Sequence, residues 1–155
     1  MQQDHNTQET SLRLMTEADL ASVLRWRNHP DIRQFMYTRH EISPEEHIRW
    51  FQKVRQDNNR QLLIFQPEDA ALGFVQISYN DYNLADWGFY LAPDAPQGTG
   101  SALGKSTLTY VFSTLKLHKL CGEALGFNKK SIRFHLKLGF TQEGVLRQQH
   151  FDGER

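Results

Sequence analysis

Cysteine is almost absent from this sequence of 155 residues, because Cys121 stands alone and no disulfide can form within the chain. Long apolar runs are missing as well, since no stretch approaches the ~20 residues of a membrane-spanning helix. Neither charge is in excess: 18 basic and 18 acidic side chains give a formal net charge of zero. We therefore expect no broad binding to nucleic acid or to a membrane. The lone cysteine is compatible with a reducing cytoplasm, and we expect a cytoplasmic location.

Metal-binding patterns are also missing, and the remaining composition is that of an ordinary globular protein. The seven histidines show none of the spacings typical of zinc sites, so we predict no metal. Apolar residues make up 39% and charged residues 23%, and the length suits one domain. The N-terminal residues are polar and contain no apolar signal core. We predict a flexible tail over 1–10 and a single domain over 11–155.

Hydrophobic periodicity alternates between strand and helix along the predicted domain. Ser43, Pro44 and Glu46 form a strong helix start, because serine caps, proline suits the first turn and glutamate completes a capping box. The order of elements predicts an α/β fold with a mixed central sheet and helices on both faces. The predicted strands cover 11–15, 62–65, 72–79, 84–91, 119–125 and 141–151, and the predicted helices cover 16–29, 43–56, 99–116 and 129–138, with a short irregular or helical piece over 31–37.

A glycine-containing stretch follows the strand at 84–91 and opens the next helix; it reads Gln97-Gly98-Thr99-Gly100-Ser101-Ala102-Leu103. Glycines let backbone N–H groups come close to a ligand, and the unpaired N–H groups of a helix start favour anions. The stretch therefore predicts an anion site, most often one for phosphate. It lacks the Gly-Lys-Ser/Thr of a P-loop, and Leu103 stands where a dinucleotide fold has its third glycine.

A second motif lies nearer the C-terminus, where Asn128 precedes a short helix that ends at Gly139-Phe140. Glycine suits the left-handed conformation at a helix end, and Phe140 can pack back on the last turn. Together with the Gln97, Gly100 and Ala102 pattern, this motif resembles the GNAT acetyltransferases. The resemblance implies the GNAT (acyl-CoA N-acyltransferase) fold and an N-acetyltransferase that uses acetyl-CoA as its co-substrate.

The resemblance also implies where the co-substrate binds. In this family the loop amides bind the pyrophosphate, and a backbone N–H of the fourth strand, here within Phe89 to Leu91, holds the thioester carbonyl. The pantetheine arm is then expected beside the end of that strand, with the start of the last helix near the thioester. The implied binding residues are Leu91, Ala92, Gln97, Gly98, Thr99, Gly100, Ser101, Ala102, Leu103, Asn128 and Ser131.

The N-terminal half contains Trp26-Arg27-Asn28-His29-Pro30, Phe35-Met36-Tyr37 and Ser43-x-Glu45-Glu46-His47. This combination resembles the GNAT branch that acetylates an amine of a nucleotide-linked sugar in pseudaminic acid biosynthesis, and the resemblance runs from Leu12 to Gly153. The implied acceptor is a UDP-linked 4-amino-4,6-dideoxy-2-acetamido sugar, and a guanidinium suits its diphosphate. Alternative interpretations stay open: Arg27 as a solvated helix-end cation, and His47 as a buried histidine on the apolar face of its helix. The candidate acceptor residues are Arg27, His29, Met36, Tyr37, His47 and Tyr90.

Catalysis needs a neutral amine, a polarised carbonyl and a proton for the leaving thiolate. His135 stands where many family members have a tyrosine acid, and we predict that it is the general acid; the alternative is that solvent supplies the proton. Glu123 on the fifth strand is the candidate base, since an apolar strand face would raise its pKa; an exposed Glu123 is the alternative. Gln76 is a further polar residue of the predicted cleft.

Two other functions stay open on the sequence alone. One is acetylation of the N-terminal amine of a ribosomal or other protein, and the other is a non-catalytic acyl-CoA sensor. Arg27, His29 and His47, predicted to form a cluster, favour an anionic acceptor. Monomer and homodimer are both compatible with the sequence. Asp152-Gly153 is a hairpin signal, and the family resemblance implies one more strand there, so we expect the last strand to be missing from this sequence.

Overall fold

One mixed sheet organises the chain, whose computed structural model describes residues 11–36, 38, 40–125 and 127–145. The strands run in the order β1-β2-β3-β4-β5. Neighbours are antiparallel from β1 to β4, whereas β4 and β5 are parallel. The predicted mixed sheet is thereby confirmed. The strands are β1 (Leu12–Leu14), β2 (Arg60–Phe65), β3 (Gly73–Tyr79), β4 (Leu84–Leu91) and β5 (Lys119–Gly122).

The helices follow the predicted order. A 3₁₀ turn at Glu17–Asp19 leads into the first helix, and a π-helical turn at Tyr110–Thr114 follows the fourth. Within the described part of the chain, no helix has both the length and the apolar character needed to span a membrane. The α-helices are α1 (Leu20–Asn28), α2 (Pro30–Arg33), α3 (Pro44–Val54), α4 (Thr99–Thr109) and α5 (Lys129–Leu138).

Both faces of the sheet are covered, because side chains of successive strand residues alternate between them. On one face, Val75 and Trp87 of the sheet share a core with Leu103 of α4, and Phe134 of α5 packs against it. On the other face, Phe74 packs with side chains of α1 and α3. The expected arrangement of helices on both faces is confirmed.

The predicted helix boundaries are confirmed where local chemistry sets them. The Ser43 hydroxyl accepts a hydrogen bond from the Glu46 N–H at 3.1 Å, which caps α3. The first helix ends at Asn28, two residues before Pro30, because proline disfavours a helical conformation in the residue that precedes it. Gly139 ends α5 with φ of 104°, and the Phe140 N–H reaches back to the His135 carbonyl at 2.9 Å.

Three predicted boundaries are corrected. The fifth strand ends at Gly122 rather than Leu125, because the chain turns at Leu125, whose carbonyl accepts the Asn128 N–H. The predicted helix over 99–116 loses its α-helical geometry at Tyr110, whose carbonyl accepts the Leu115 N–H, as in a π turn. Residues 141–145 form no strand, while 146–151, the Asp152-Gly153 turn and the tail at 1–10 lie outside the described residues.

Candidate active site

A split opens between β4 and β5. Their pairing begins with Leu84 opposite Lys119 and ends with Trp87 opposite Gly122, although β4 continues to Leu91. Asn80 donates its N–H to the Leu84 carbonyl, and the Ala92 N–H just beyond the strand donates to the Leu72 carbonyl. Because hydrogen bonds alternate between the two sides of a strand, the even-numbered residues of β4 bond to β3.

The alternation leaves the odd-numbered residues of β4 directed away from β3. The N–H groups of Phe89 and Leu91 therefore point into the split, where the described part of β5 provides no partner strand. Such N–H groups can hold a carbonyl oxygen or pair with an extended amide chain. By contrast, the Ala92 N–H is already bonded to Leu72 and does not face the split.

The start of α4 lies directly after this strand and its connecting loop. Gly98 caps the helix in the left-handed region at φ of 92°, which explains the glycine there. The Thr99 N–H bonds to the Pro96 carbonyl, and the Ala102 N–H bonds to Gly98. The N–H groups of Gly98, Gly100 and Ser101 have no acceptor within the described residues, so this turn presents donors and a positive helix end to an anion.

Close packing joins the helix start to the split. A Cβ added at Gly100 would stand 3.6 Å from both Leu91 of β4 and Phe134 of α5. Beneath it, a Cβ on Gly73 would lie 2.5 Å from Leu103, so the glycine lets α4 approach the sheet. The N–H groups at the end of β4 and those at the start of α4 therefore lie in adjoining parts of the same site. Of the remaining loop residues, Gln97 and Ala102 are exposed, while Thr99 is buried.

The start of α5 forms the other wall of the split. The Asn128 side chain caps the helix, because its Oδ1 accepts the Ser131 N–H at 3.2 Å. Its Nδ2 has no acceptor within the described residues and remains available as a donor. Both residues are partly exposed, as a contact with a bound molecule requires.

Comparisons with known proteins agree with this geometry. The family model described as "Acetyltransferase (GNAT) domain" matches residues 10–141. The chain belongs to the GNAT acetyltransferase family. It is an N-acetyltransferase that depends on acetyl-CoA. Within the described residues no group of histidine, cysteine or acidic side chains is arranged to hold a metal ion.

Individual relatives of this GNAT acetyltransferase include acetyltransferases of two bacteria. The chain is 33% identical to the acetyltransferase PseH of Campylobacter jejuni over 130 aligned residues. These residues cover 82% of this chain and 80% of that protein. The chain is 27% identical over 148 residues to the spermidine N(1)-acetyltransferase of Vibrio cholerae, and the alignment covers 92% of this chain and 85% of that protein. A crystal structure of spermidine N-acetyltransferase from Vibrio cholerae, in complex with CoA and spermine, superposes on this chain with a TM-score of 0.81 at 25% sequence identity. The superposition covers 90% of this chain and 85% of that one.

Two of the acceptor candidates, Arg27 and Tyr90, lie on the sheet face that α1 and α3 cover. Arg27 of α1 is half-buried and donates from Nη2 to the Thr38 carbonyl at 2.8 Å. Its Nη1 is buried and has no hydrogen-bond partner among the described residues. Tyr90 of β4 interacts electrostatically with this guanidinium and stacks on Phe74 with ring centroids 4.9 Å apart. Arg27 and Tyr90 are thus brought together.

The pKa shifts of this pair have a common physical cause. Burial lowers the pKa of Arg27, and Tyr90 and Glu46 partly offset that effect. The guanidinium nevertheless stays charged at neutral pH. Burial also raises the pKa of Tyr90, which keeps its hydroxyl protonated and able to donate a hydrogen bond. Both side chains therefore keep a proton that can be donated, on the sheet face that α1 and α3 cover.

The predicted cluster of Arg27, His29 and His47 is not formed. His29 caps α2, because its Nδ1 accepts the Asp31 N–H at 3.1 Å. His47 is buried and its Nε2 donates to the Leu20 carbonyl at 3.1 Å, at the opposite end of α1 from Arg27, about 10 Å along the helix axis. The buried alternative for His47 is the one observed. Met36, which follows α2, is half-buried. Tyr37 lies outside the described residues.

The catalytic candidates are placed differently from one another. Gln76 of β3 lies opposite Gly88, on the same face as Tyr90, and a Cβ added at Gly88 would meet nothing within 4 Å. Gln76 therefore borders open space on the sheet face that α1 and α3 cover. Glu123 lies beyond the end of β5 and is exposed, so the predicted position on an apolar strand face is wrong. Its role as base stays a prediction without that support.

His135 lies in α5 at the edge of the split, and the structure gives both ring nitrogens protein partners. Its Nε2 is 3.2 Å from the indole Nε1 of Trp87, and its Nδ1 is 2.8 Å from the Ser131 carbonyl. The role of general acid stays a prediction.

Two residues of the site carry no recognisable signal in the sequence. Trp87 looks like an ordinary strand aromatic, and its indole contact with His135 joins residues 48 positions apart. Asn28 looks like a helix-end residue, yet its side chain bonds both backbone groups of Ile42. Only the Asn128 and glycine motifs, whose partners are local, could be identified from spacing.

Proposed function

We propose that this GNAT acetyltransferase transfers the acetyl group of acetyl-CoA to the 4-amino group of a UDP-linked 4-amino-4,6-dideoxy-2-acetamido sugar, a step of pseudaminic acid biosynthesis. The similarity to the PseH acetyltransferase of Campylobacter jejuni over 82% of the chain supports this acceptor. A cytoplasmic location and assembly of the chain as a homodimer remain parts of the same proposal.

The observation that carries the proposal is the buried Arg27 Nη1, which has no hydrogen-bond partner in the part of the chain that the structure describes. A buried donor that lacks an acceptor costs free energy, about 1–3 kcal/mol and more for a charged group. A bound anion removes that cost, and phosphate oxygens form strong charge-assisted bonds with a guanidinium. The neighbouring Tyr90 hydroxyl adds a second donor. A nucleotide-linked sugar supplies the matching diphosphate.

The same guanidinium argues against polyamines as acceptors. Spermidine carries several positive charges, and a half-buried cation next to its binding path repels them. A basic protein N-terminus would meet the same repulsion. A sensor that binds only acyl-CoA has no use for a charged, desolvated group on the acceptor face. These alternatives therefore serve as arms of the test.

The chain's residues have distinct tasks in this reaction. The Phe89 and Leu91 N–H groups suit the thioester carbonyl, whose oxygen gains negative charge as the amine attacks. The donors at Gly98, Gly100 and Ser101 suit the pyrophosphate of the co-substrate. Holding both substrates in one cleft lowers the entropic part of the barrier. Gln76 and Glu123 remain the candidates for relaying the proton that the amine must lose.

A thiol-release assay tests the proposal by comparing the UDP-amino-sugar, spermidine and a basic peptide as acceptors. We expect turnover with the UDP-sugar and a value of kcat/KM at least about a hundredfold lower with the other two. Faster turnover of spermidine or of the peptide contradicts the proposal. CoA binding without turnover of any acceptor would indicate the sensor.

Arg27→Met tests the guanidinium itself. We expect its KM for the UDP-sugar to rise about tenfold to a hundredfold, while the KM for acetyl-CoA stays unchanged, because a charge-assisted contact is worth ~1.5–3 kcal/mol. Arg25→Met is the matched control: Arg25 lies on the same helix but is exposed, and among the described residues its side chain bonds only the Ser22 hydroxyl, at 3.4 Å. Equal effects of the two variants would remove Arg27 from the acceptor site.

A further inference from the structure

The hydrogen bonds of His135 define which of its nitrogens carries a proton. The Trp87 indole nitrogen can only donate, so His135 Nε2, at 3.2 Å, accepts. The Ser131 carbonyl oxygen can only accept, so His135 Nδ1, at 2.8 Å, donates. The imidazole is therefore neutral with its proton on Nδ1. In this arrangement neither nitrogen has an N–H left for a leaving thiolate.

The surroundings of the ring leave it little freedom to reorient. The ring centroid of His135 lies 4.9 Å from that of Phe140 in an edge-to-face arrangement, and 6.1 Å from that of Phe89. Gly122 lies against the contact between the two rings: a Cβ there would stand 2.6 Å from His135 Nε2 and 2.8 Å from Trp87 Nε1. Only glycine leaves room for the indole–imidazole bond at this point.

The bond occupies a particular place in the fold. Trp87 and Gly122 form the last pair between β4 and β5, so the indole–imidazole bond lies where the split begins. The next N–H groups directed into the split belong to Phe89 and Leu91. Ser131, whose carbonyl holds the imidazole, lies in the first turn of α5 and is capped by Asn128. His135 thus connects the vertex of the split to the helix that forms its far wall.

We propose that His135 is a positioning residue rather than the proton donor. As a neutral imidazole it accepts from Trp87, and it thereby sets the distance between the start of α5 and the N–H groups of β4. The thiolate then takes its proton from solvent. This inference rests on acetyl transfer at the split and is independent of which amine is the acceptor.

Kinetics of Trp87→Phe, His135→Phe and the double variant test the proposal. We expect each single variant to raise the KM for acetyl-CoA about threefold to tenfold and to lower kcat by less than about tenfold, since only alignment is lost. The double variant should resemble the single ones, because both remove the same bond. The pH profile of kcat should match that of the parent. Leu136→Ala, an exposed neighbour on α5, is the control.

A proton donor would give the opposite pattern. His135→Phe would then lose about a hundredfold or more in kcat together with one limb of the pH profile, while Trp87→Phe would keep its kcat. That result would overturn the proposal. His135→Gln adds a rescue: its amide oxygen can accept from Trp87 but cannot act as an acid. We expect it to lie closer to the parent than His135→Phe does, and a Gln variant as impaired as a lost acid would contradict positioning.

NMR of the parent protein provides a measurement that does not depend on variant folding. The imidazole ¹⁵N signals of His135 should show the Nδ1–H tautomer at neutral pH, and the Trp87 indole N–H signal should shift in His135→Phe. Acetyl-CoA should leave that tautomer in place. An Nε2–H tautomer, or an imidazolium at neutral pH, would overturn the proposal.

Discussion

The Asn28 side-chain amide forms two hydrogen bonds with the backbone of Ile42: its Nδ2 donates to the Ile42 carbonyl at 2.8 Å, and its Oδ1 accepts the Ile42 N–H at 2.7 Å. Arg27, the preceding residue, donates to the Thr38 carbonyl at 2.8 Å. The end of α1 therefore holds the segment that leads into α3 at two points. Since Arg27 is the proposed anion contact, Asn28 orders the chain around it.

Asn28→Ala should weaken binding of the acceptor and spare the co-substrate. Each of the two hydrogen bonds contributes ~1 kcal/mol, so we expect the KM for the acceptor to rise about tenfold or more. The KM for acetyl-CoA should stay within about twofold of the parent value, because the anion site at α4 is built from other residues. Steady-state kinetics with each substrate varied in turn provide the measurement.

Asn58→Ala is the matched control for this change, since Asn58 is an exposed asparagine just after α3 whose contact with Tyr79 uses its backbone carbonyl. A rise in the KM for acetyl-CoA as large as that for the acceptor would show that Asn28 stabilises the whole domain rather than this segment.

Local chemistry made much of this fold predictable from sequence. The cap at Ser43, the stop before Pro30 and the left-handed end at Gly139 each depend on residues within one helical turn, and all three are observed. The end of β5 was mispredicted because alternation along a strand does not reveal where its neighbour diverges. The strand β5 ends where its pairing with β4 ends, at Trp87 opposite Gly122, and that pairing depends on contacts between residues far apart in the sequence.

The site was predictable to the same extent. Helix-start donors near Gly98 follow from the glycine spacing alone. The separation of His47 from Arg27 does not, because an apolar helix face and a ligand contact give the same periodicity. Likewise, a histidine at the usual place of a tyrosine acid gives no hint that an indole from another element already occupies its Nε2.

Gly98→Ala should damage both stability and co-substrate binding. Gly98 adopts φ of 92°, and an L-residue in the left-handed region costs roughly 1–2 kcal/mol. Relief of that strain would turn the Gly98, Gly100 and Ser101 donors away from their common target, so we expect the KM for acetyl-CoA to rise about tenfold. Urea unfolding measures the first effect, and initial rates measure the second.

Gly144→Ala is the control for Gly98→Ala, because Gly144 is exposed, its added Cβ would contact nothing within 4 Å and its φ is not in the left-handed region. Unchanged unfolding and unchanged acetyl-CoA kinetics in Gly98→Ala would refute the role of this glycine in shaping the helix start.

His47 should make the free energy of unfolding depend on pH. Burial lowers the pKa of His47 below its ordinary value of 6.5, against the smaller opposite effect of its bond to the Leu20 carbonyl. As the pH falls through about 6.5, His47 therefore becomes protonated in the unfolded chain while it stays neutral in the folded chain. Stability is fully present above that pH and falls as the pH drops below it, by at most ~1.4 kcal/mol per pH unit for this one group.

Replacement of His47 should remove that dependence. His47→Gln keeps a donor for the Leu20 carbonyl but cannot titrate, so its urea midpoint should change less than that of the parent between about pH 7.5 and about pH 5.5. His118→Gln, at an exposed histidine, should retain the full slope of the parent. If His47→Gln and the parent lose stability in parallel over this range, the acid sensitivity arises elsewhere, and the buried imidazole does not carry it.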